Sequence, residues 1–116
     1  MLTNSEVLDK LKSVLAKSKV DSEGRVTITL SEVSDLLGIS TKLLFRPRVL
    51  CKKLLVSGFE MHSLTDDSDI PQWVVICMME YFAYESKTPN EYVLNLFRTF
   101  TAIGYTEVSL MYINKK

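Results

Sequence analysis

Between residues 25 and 38 the chain changes its apolar period with no linker in between. Over RVTITL, residues 25–30, Val26, Ile28 and Leu30 alternate with polar neighbours, which predicts a half-buried strand. Ser31 follows at once as an N-cap candidate for a short helix over residues 32–37, with Glu32 near the positive end of its dipole. Gly38 fits the left-handed residue that stops this helix, and Ser40 is placed to cap whatever comes next. A strand that runs straight into a capped helix commits the chain to a mixed fold.

The remaining segments extend this pattern. Thr3 and Glu6 have capping-box spacing ahead of Val7, Leu8, Leu11, Val14 and Leu15, which predicts a helix over residues 4–17. A turn is expected at residues 21–24. Residues 59–64 alternate weakly as a second strand, and the acidic run at residues 65–69 is the one linker candidate. Residues 73–84 are apolar on almost every side of a helical wheel, as in a central helix or one shared with a second copy. Thr88, Pro89 and Glu91 mark a helix start, with Tyr92, Val93, Leu96, Phe97, Phe100 and Ile103 on one face. Gly104 is expected to end it, and residues 106–113 alternate as a closing strand. The chain is therefore expected to form a small single α+β domain. Residues 1–64 would run helix, strand, helix, helix, strand, the order of a winged helix, and residues 70–116 would add a helical pair and the closing strand.

At 116 residues there is enough chain for one core, and 47% apolar residues exclude disorder. The formal net charge is zero, but it is unevenly distributed. From residue 36 to residue 59 there are five cations, Lys42, Arg46, Arg48, Lys52 and Lys53, and no acid; from residue 60 onward acids outnumber bases eight to four. Such segregation makes one surface attractive to phosphate in a protein that is neutral as a whole.

The stretch SEVSDLLGIS, residues 31–40, resembles the first helix and turn of helix-turn-helix proteins. Small Ser34 lies where two helices approach, Gly38 allows the tight turn, Val33, Leu37 and Ile39 give apolar contacts, and Ser40 and Thr41 begin the second helix. On a wheel started at Thr41, Leu43, Leu44, Leu50, Cys51, Leu54 and Leu55 share one arc and the five cations share the other. Pro47 disfavours one straight helix through this segment, so a single turn at residues 41–45 and a second helix starting at Pro47 are expected. Phe45, Val49 and Val56 interrupt the basic arc. With its preceding strand, VSDLLGIS at residues 33–40 is similar to the opening of phage antirepressor domains of the Bro and KilA kind. That resemblance implies a small α+β DNA-binding module of viral or mobile-element origin.

The sequence carries no glycine-rich phosphate loop and no nucleophile elbow, and its one histidine, His62, stands apart from any sequence-local nucleophile. Cys51 and Cys77 lack metal spacing and are expected to be reduced core residues, so no cofactor or metal is expected. The N-terminus lacks the order of a signal peptide and the longest apolar run is too short for a bilayer, so a cytoplasmic location is expected. The resulting expectation is a non-enzymatic DNA-binding transcription regulator. Its candidate contacts to double-stranded DNA are Ser40, Thr41, Lys42, Arg46, Arg48, Lys52 and Lys53, with Arg46 for a base edge and a homodimer contact through residues 73–84. The alternative is a protein-interaction module or accessory factor acting through Phe45, Val49 and the Trp73 helix.

Overall fold

The structure, a computed structural model, describes residues 4–20 and 22–103. The chain is an α+β domain, as its periodicities predict. In order it forms α1 (Asn4–Leu15), β1 (Lys19–Val20), β2 (Val26–Thr29), α2 (Leu30–Leu37), α3 (Thr41–Leu44), α4 (Arg48–Val56), β3 (Asp69–Pro71), α5 (Gln72–Glu80), a π-helical turn (Tyr81–Glu85) and α6 (Glu91–Ile103). The anticipated closing strand at residues 106–113 lies outside the described residues.

The sheet is antiparallel with β2 central. Lys19 pairs with Thr27 and Val20 with Val26 on one side; Thr27 pairs with Pro71, Ile28 with Ile70 and Thr29 with Asp69 on the other. The single strand expected at residues 25–30 is thus the second arm of a hairpin and ends at Thr29, because Leu30 already belongs to α2. Thr27 is buried along with Ile28, so β2 is covered on both faces and is not half-buried as its alternation suggests. The strand expected at residues 59–64 is not one. Phe59 turns under Trp73 and Ser63 has a positive φ of 60°, which breaks extended pairing. The third strand instead comes from Asp69–Pro71, whose proline is tolerated because β3 borders the described sheet.

The acidic run is likewise no linker. Leu30 N donates to Ser68 O and Ser31 N to Asp66 O, at 2.9 and 3.0 Å, so this loop satisfies free amides at the start of α2. The side-chain cap of α2 is Thr29, whose Oγ1 accepts from Glu32 N, rather than Ser31.

The core lies between the sheet and the helices that cover it. α1 packs on α6 and α2, and α5 packs on α6, α4 and β2. Val7, Leu11 and Val14 of α1, Val33 and Leu37 of α2, and Val93, Leu96 and Phe100 of α6 are buried, as their spacing predicts. α1 ends at Leu15, two residues short of the expected Lys17. α5 buries Val74, Val75, Met78 and Met79, which explains its nearly all-apolar wheel. The single helix expected over residues 73–84 gives way to the π-helical turn, closed by Ser86 N donating to Tyr81 O at 2.9 Å. α6 starts at Glu91 and not at Thr88. Asn90 Oδ1 accepts from Val93 N at 3.1 Å, and Asn90 N donates to Phe82 O, so asparagine anchors the helix start to the π turn.

α6 also reaches the end of α2. The Tyr92 hydroxyl donates to Leu36 O at 2.9 Å, satisfying a carbonyl in the last turn, and its ring lies beside Gly38. Tyr92→Phe is expected to lower unfolding stability by about 1 kcal/mol, read from the midpoint of a urea titration at unchanged slope.

Candidate nucleic-acid interface

The turn after α2 is built as a tight corner. Gly38 takes the left-handed conformation (φ 67°, ψ 27°) and donates to Ser34 O at 2.9 Å; Ile39 N donates to the same carbonyl at 3.3 Å. Ser34 Oγ closes the corner from the other side, donating to Ile39 O at 2.7 Å. Small Ser34 therefore serves the turn through its hydroxyl as well as its size. Ser40 occupies the cap position of α3, where its carbonyl accepts from Leu43 N and Leu44 N, but its side chain makes no capping bond.

Pro47 splits the following segment as expected, with one adjustment. It is the N-cap of α4 (φ −67°, ψ 123°) rather than its first helical residue. The bend from Phe45 to Pro47 is braced on several sides. Cys51 Sγ donates to Phe45 O at 2.9 Å, and Cys51 N donates to Pro47 O at 3.0 Å. Phe45 stacks on Phe59 with ring centroids 6.4 Å apart, and Phe59 meets the edge of Trp73 at 6.1 Å. Leu44 before the bend and Leu50 and Leu54 after it are fully buried. These contacts give the bend one defined geometry.

Of the seven candidate DNA contacts, six are exposed: Ser40, Lys42, Arg46, Arg48, Lys52 and Lys53; Thr41 is half-buried. They divide into three groups by position. Lys42 lies on α3, Arg46 lies in the non-helical bend, and Arg48, Lys52 and Lys53 lie on α4. Lys42, Arg46, Arg48 and Lys52 form no ion pair with a described residue. Lys53 does, reaching Glu85 on the π turn at 3.9 Å. The acidic loop does not neutralise this cluster: Asp69 pairs with Lys19 at 3.9 Å.

Two residues of the expected buried arc face solvent instead, Leu43 and Leu55. A wheel started at Thr41 assumes a continuous helix, and Pro47 resets the phase, so α4 turns inward about Leu50 and Leu54. Of the residues assigned to protein docking, Phe45 and Trp73 belong to the aromatic cluster and are half-buried, whereas Val49 is exposed. Residues 73–84 present Tyr84 as their one exposed large apolar side chain, since their other large apolar residues are buried or half-buried in the core.

Burial pushes the Cys51 thiol up. Burial also raises Cys77, which Lys53 partly opposes and Glu80 and Glu85 reinforce, so both thiols are shifted away from the thiolate form a nucleophile needs. An apolar cavity of about 30 Å³ between α1, the sheet, α5 and α6 is lined by residues such as Leu11, Ile28, Val75, Met79 and Phe100, with no titratable side chain. No group of three or more metal-ligating side chains, and no helix long and apolar enough to cross a membrane, occurs among the described residues. Compared with protein-family models, with curated proteins and with solved structures, the chain matches none.

Proposed function

We propose that this protein is a small, non-enzymatic DNA-binding regulator whose α2–turn–α3 corner and braced α4 present cations to duplex phosphates. The observation that carries this reading is the series Lys42, Arg46, Arg48 and Lys52 along α3, the bend and α4. All four are exposed, none pairs with a described acid, and the 36–59 segment that holds them contains no acid. The docked helix fixes where these cations start from, no internal ion pair has to be broken to free them, and each phosphate contact releases condensed counterions.

Arg46 has a narrower role than its sequence position suggests. It projects from the bend rather than from a helix that could lie along the major groove, so it is assigned to phosphate together with Lys42, Arg48 and Lys52. The proposal is thus for binding governed by charge and shape, with Ser40 and Thr41 at the start of α3 nearest the position a recognition helix would use. A homodimer formed through residues 73–84 would double the cationic surface, and Tyr84 is the exposed large apolar side chain it would find there.

The experiment is fluorescence anisotropy of a labelled random-sequence duplex at low ionic strength. The reading requires saturable binding there, and a flat titration at micromolar protein would end it.

A further inference from the structure

DNA binding leaves one feature of the same segment unused. Among the described residues the exposed large apolar side chains are Leu43 (45%), Val49 (66%), Leu55 (52%), Val56 (81%) and Tyr84 (54%). Four of these five lie on α3 and α4, interleaved with the cations. On α4 the buried side is set by Leu50 and Leu54, which places Arg48, Val49, Lys52, Leu55 and Val56 on the outward side. Val49 and Val56 are two turns apart on nearly one line, and Arg48 and Lys52 are one turn apart beside them. The outward stripe is therefore mixed, with two valines and two cations within reach of a single partner helix.

This stripe works against the helix that carries it. Like charges at Arg48 and Lys52 repel across one turn, and Arg48 sits in the first turn, at the positive end of the dipole. α4 has no side-chain cap and no acid in its first turn to offset this, and exposed β-branched valines are poor helix formers. Phosphates would answer the cations but would leave Val49 and Val56 in water.

We propose that the outward face of α4 docks an acidic amphipathic helix of a partner protein, which pairs with Arg48 and Lys52 and covers Val49 and Val56. Charge complementarity selects this occupant. A helix with apolar residues at i, i+3/i+4 and i+7, and Asp or Glu between them, matches both elements of the stripe. A second copy of α4 packed on the same face would bring two cationic stripes together with no acid between them. The inference does not require that DNA binds. If both ligands bind, they share Arg48 and Lys52 and exclude each other.

The test uses the full chain and two labelled 18-residue probe peptides of one Leu/Glu composition. In one the leucines form a single helical stripe; in the other the order is scrambled around the wheel. The striped peptide is expected to bind, the scrambled one about tenfold or more weakly, and the exposed double substitution Val49→Ser/Val56→Ser is expected to weaken the striped peptide by about tenfold. The same double variant is expected to retain its circular dichroism and to bind duplex DNA as wild type does, whereas Arg48→Gln weakens both ligands. Equal binding of the two peptides, or wild-type peptide binding by the double variant, overturns the proposal. It is also overturned if wild type sediments as a dimer that the double substitution dissociates, or if anionic phospholipid vesicles retain wild type but not that variant. Absence of DNA binding with peptide binding intact would remove the regulator reading alone.

Discussion

Reversing Arg46 and Arg48 together to glutamate is expected to weaken duplex binding by about 100-fold or more at moderate salt. Each charge-assisted contact is worth about 1.5–3 kcal/mol, and two lost contacts therefore correspond to at least about two decades before repulsion from the new carboxylates is added. Both side chains are exposed and neither pairs with a described acid, so reversal breaks no ion pair within the described fold. Arg48→Glu even places an acid in the first turn of α4, where the helix dipole favours it. The variant is thus expected to be at least as stable as wild type while losing its ligand. Lys87→Glu reverses one charge, half the change of the double variant, at an exposed site after the π turn and is expected to leave binding within about twofold. A loss at Lys87→Glu of half as many decades as in the double variant would mean that net charge, and not the α3–α4 segment, determines binding.

The largest stability effect is expected from Leu50→Ala. Leu50 is fully buried one turn after Pro47, where it holds α4 on the domain beside Leu54. Removing a buried leucine side chain costs about 2–5 kcal/mol, through lost transfer free energy and the cavity left behind. A domain of this size has only about 5–15 kcal/mol in total, so the thermal midpoint should fall by on the order of 10 °C or more. Leu44→Ala, on the other side of the bend, belongs to the same class, because Leu44 is equally buried. The two mutational experiments separate cause from consequence. Reversal of Arg46 and Arg48 should weaken binding by about 100-fold or more in a protein that stays folded, whereas Leu50→Ala should lose binding only in step with unfolding. A Leu50→Ala protein as stable as wild type would mean that α4 is not docked as described.

How far the sequence foretells this arrangement depends on whether the determining interaction is local. The corner after α2 is local: Ser34, Gly38 and Ile39 are close in sequence, and the spacing alone locates the turn. Pro47 is local too, and its missing amide and ring clash announce the break between α3 and α4. The partners that brace the bend are less visible, since Phe45 acquires its place from Phe59 and Trp73, and Tyr92 finds Leu36 O from 56 residues away. β1 has only two residues and no alternation to detect, and β3 carries an acid and a proline that ordinarily argue against a strand. Both exist because β2 offers them a backbone ladder. Asn90 prevails over Thr88 as the cap for a similar reason, because its amide is fixed by Phe82 O. The chemistry of the candidate site was legible as five cations without an acid. That Lys53 is drawn to Glu85, that Arg46 leaves the helix, and that Leu43 and Leu55 face water depend on the phase in which α4 restarts after Pro47.

The most direct measurement is the salt dependence of duplex binding, taken from anisotropy titrations between about 50 and 200 mM monovalent salt. If Lys42, Arg46, Arg48 and Lys52 each neutralise one phosphate, log K should fall against log salt with a slope near −3.6, from about −0.9 per contact. This corresponds to a loss of about 100-fold across that range. Lys52→Gln should make the slope shallower by about 0.9 and weaken binding alike on unrelated duplex sequences. A slope near zero, or a Lys52→Gln slope equal to that of wild type, would contradict the assignment of these four cations to DNA.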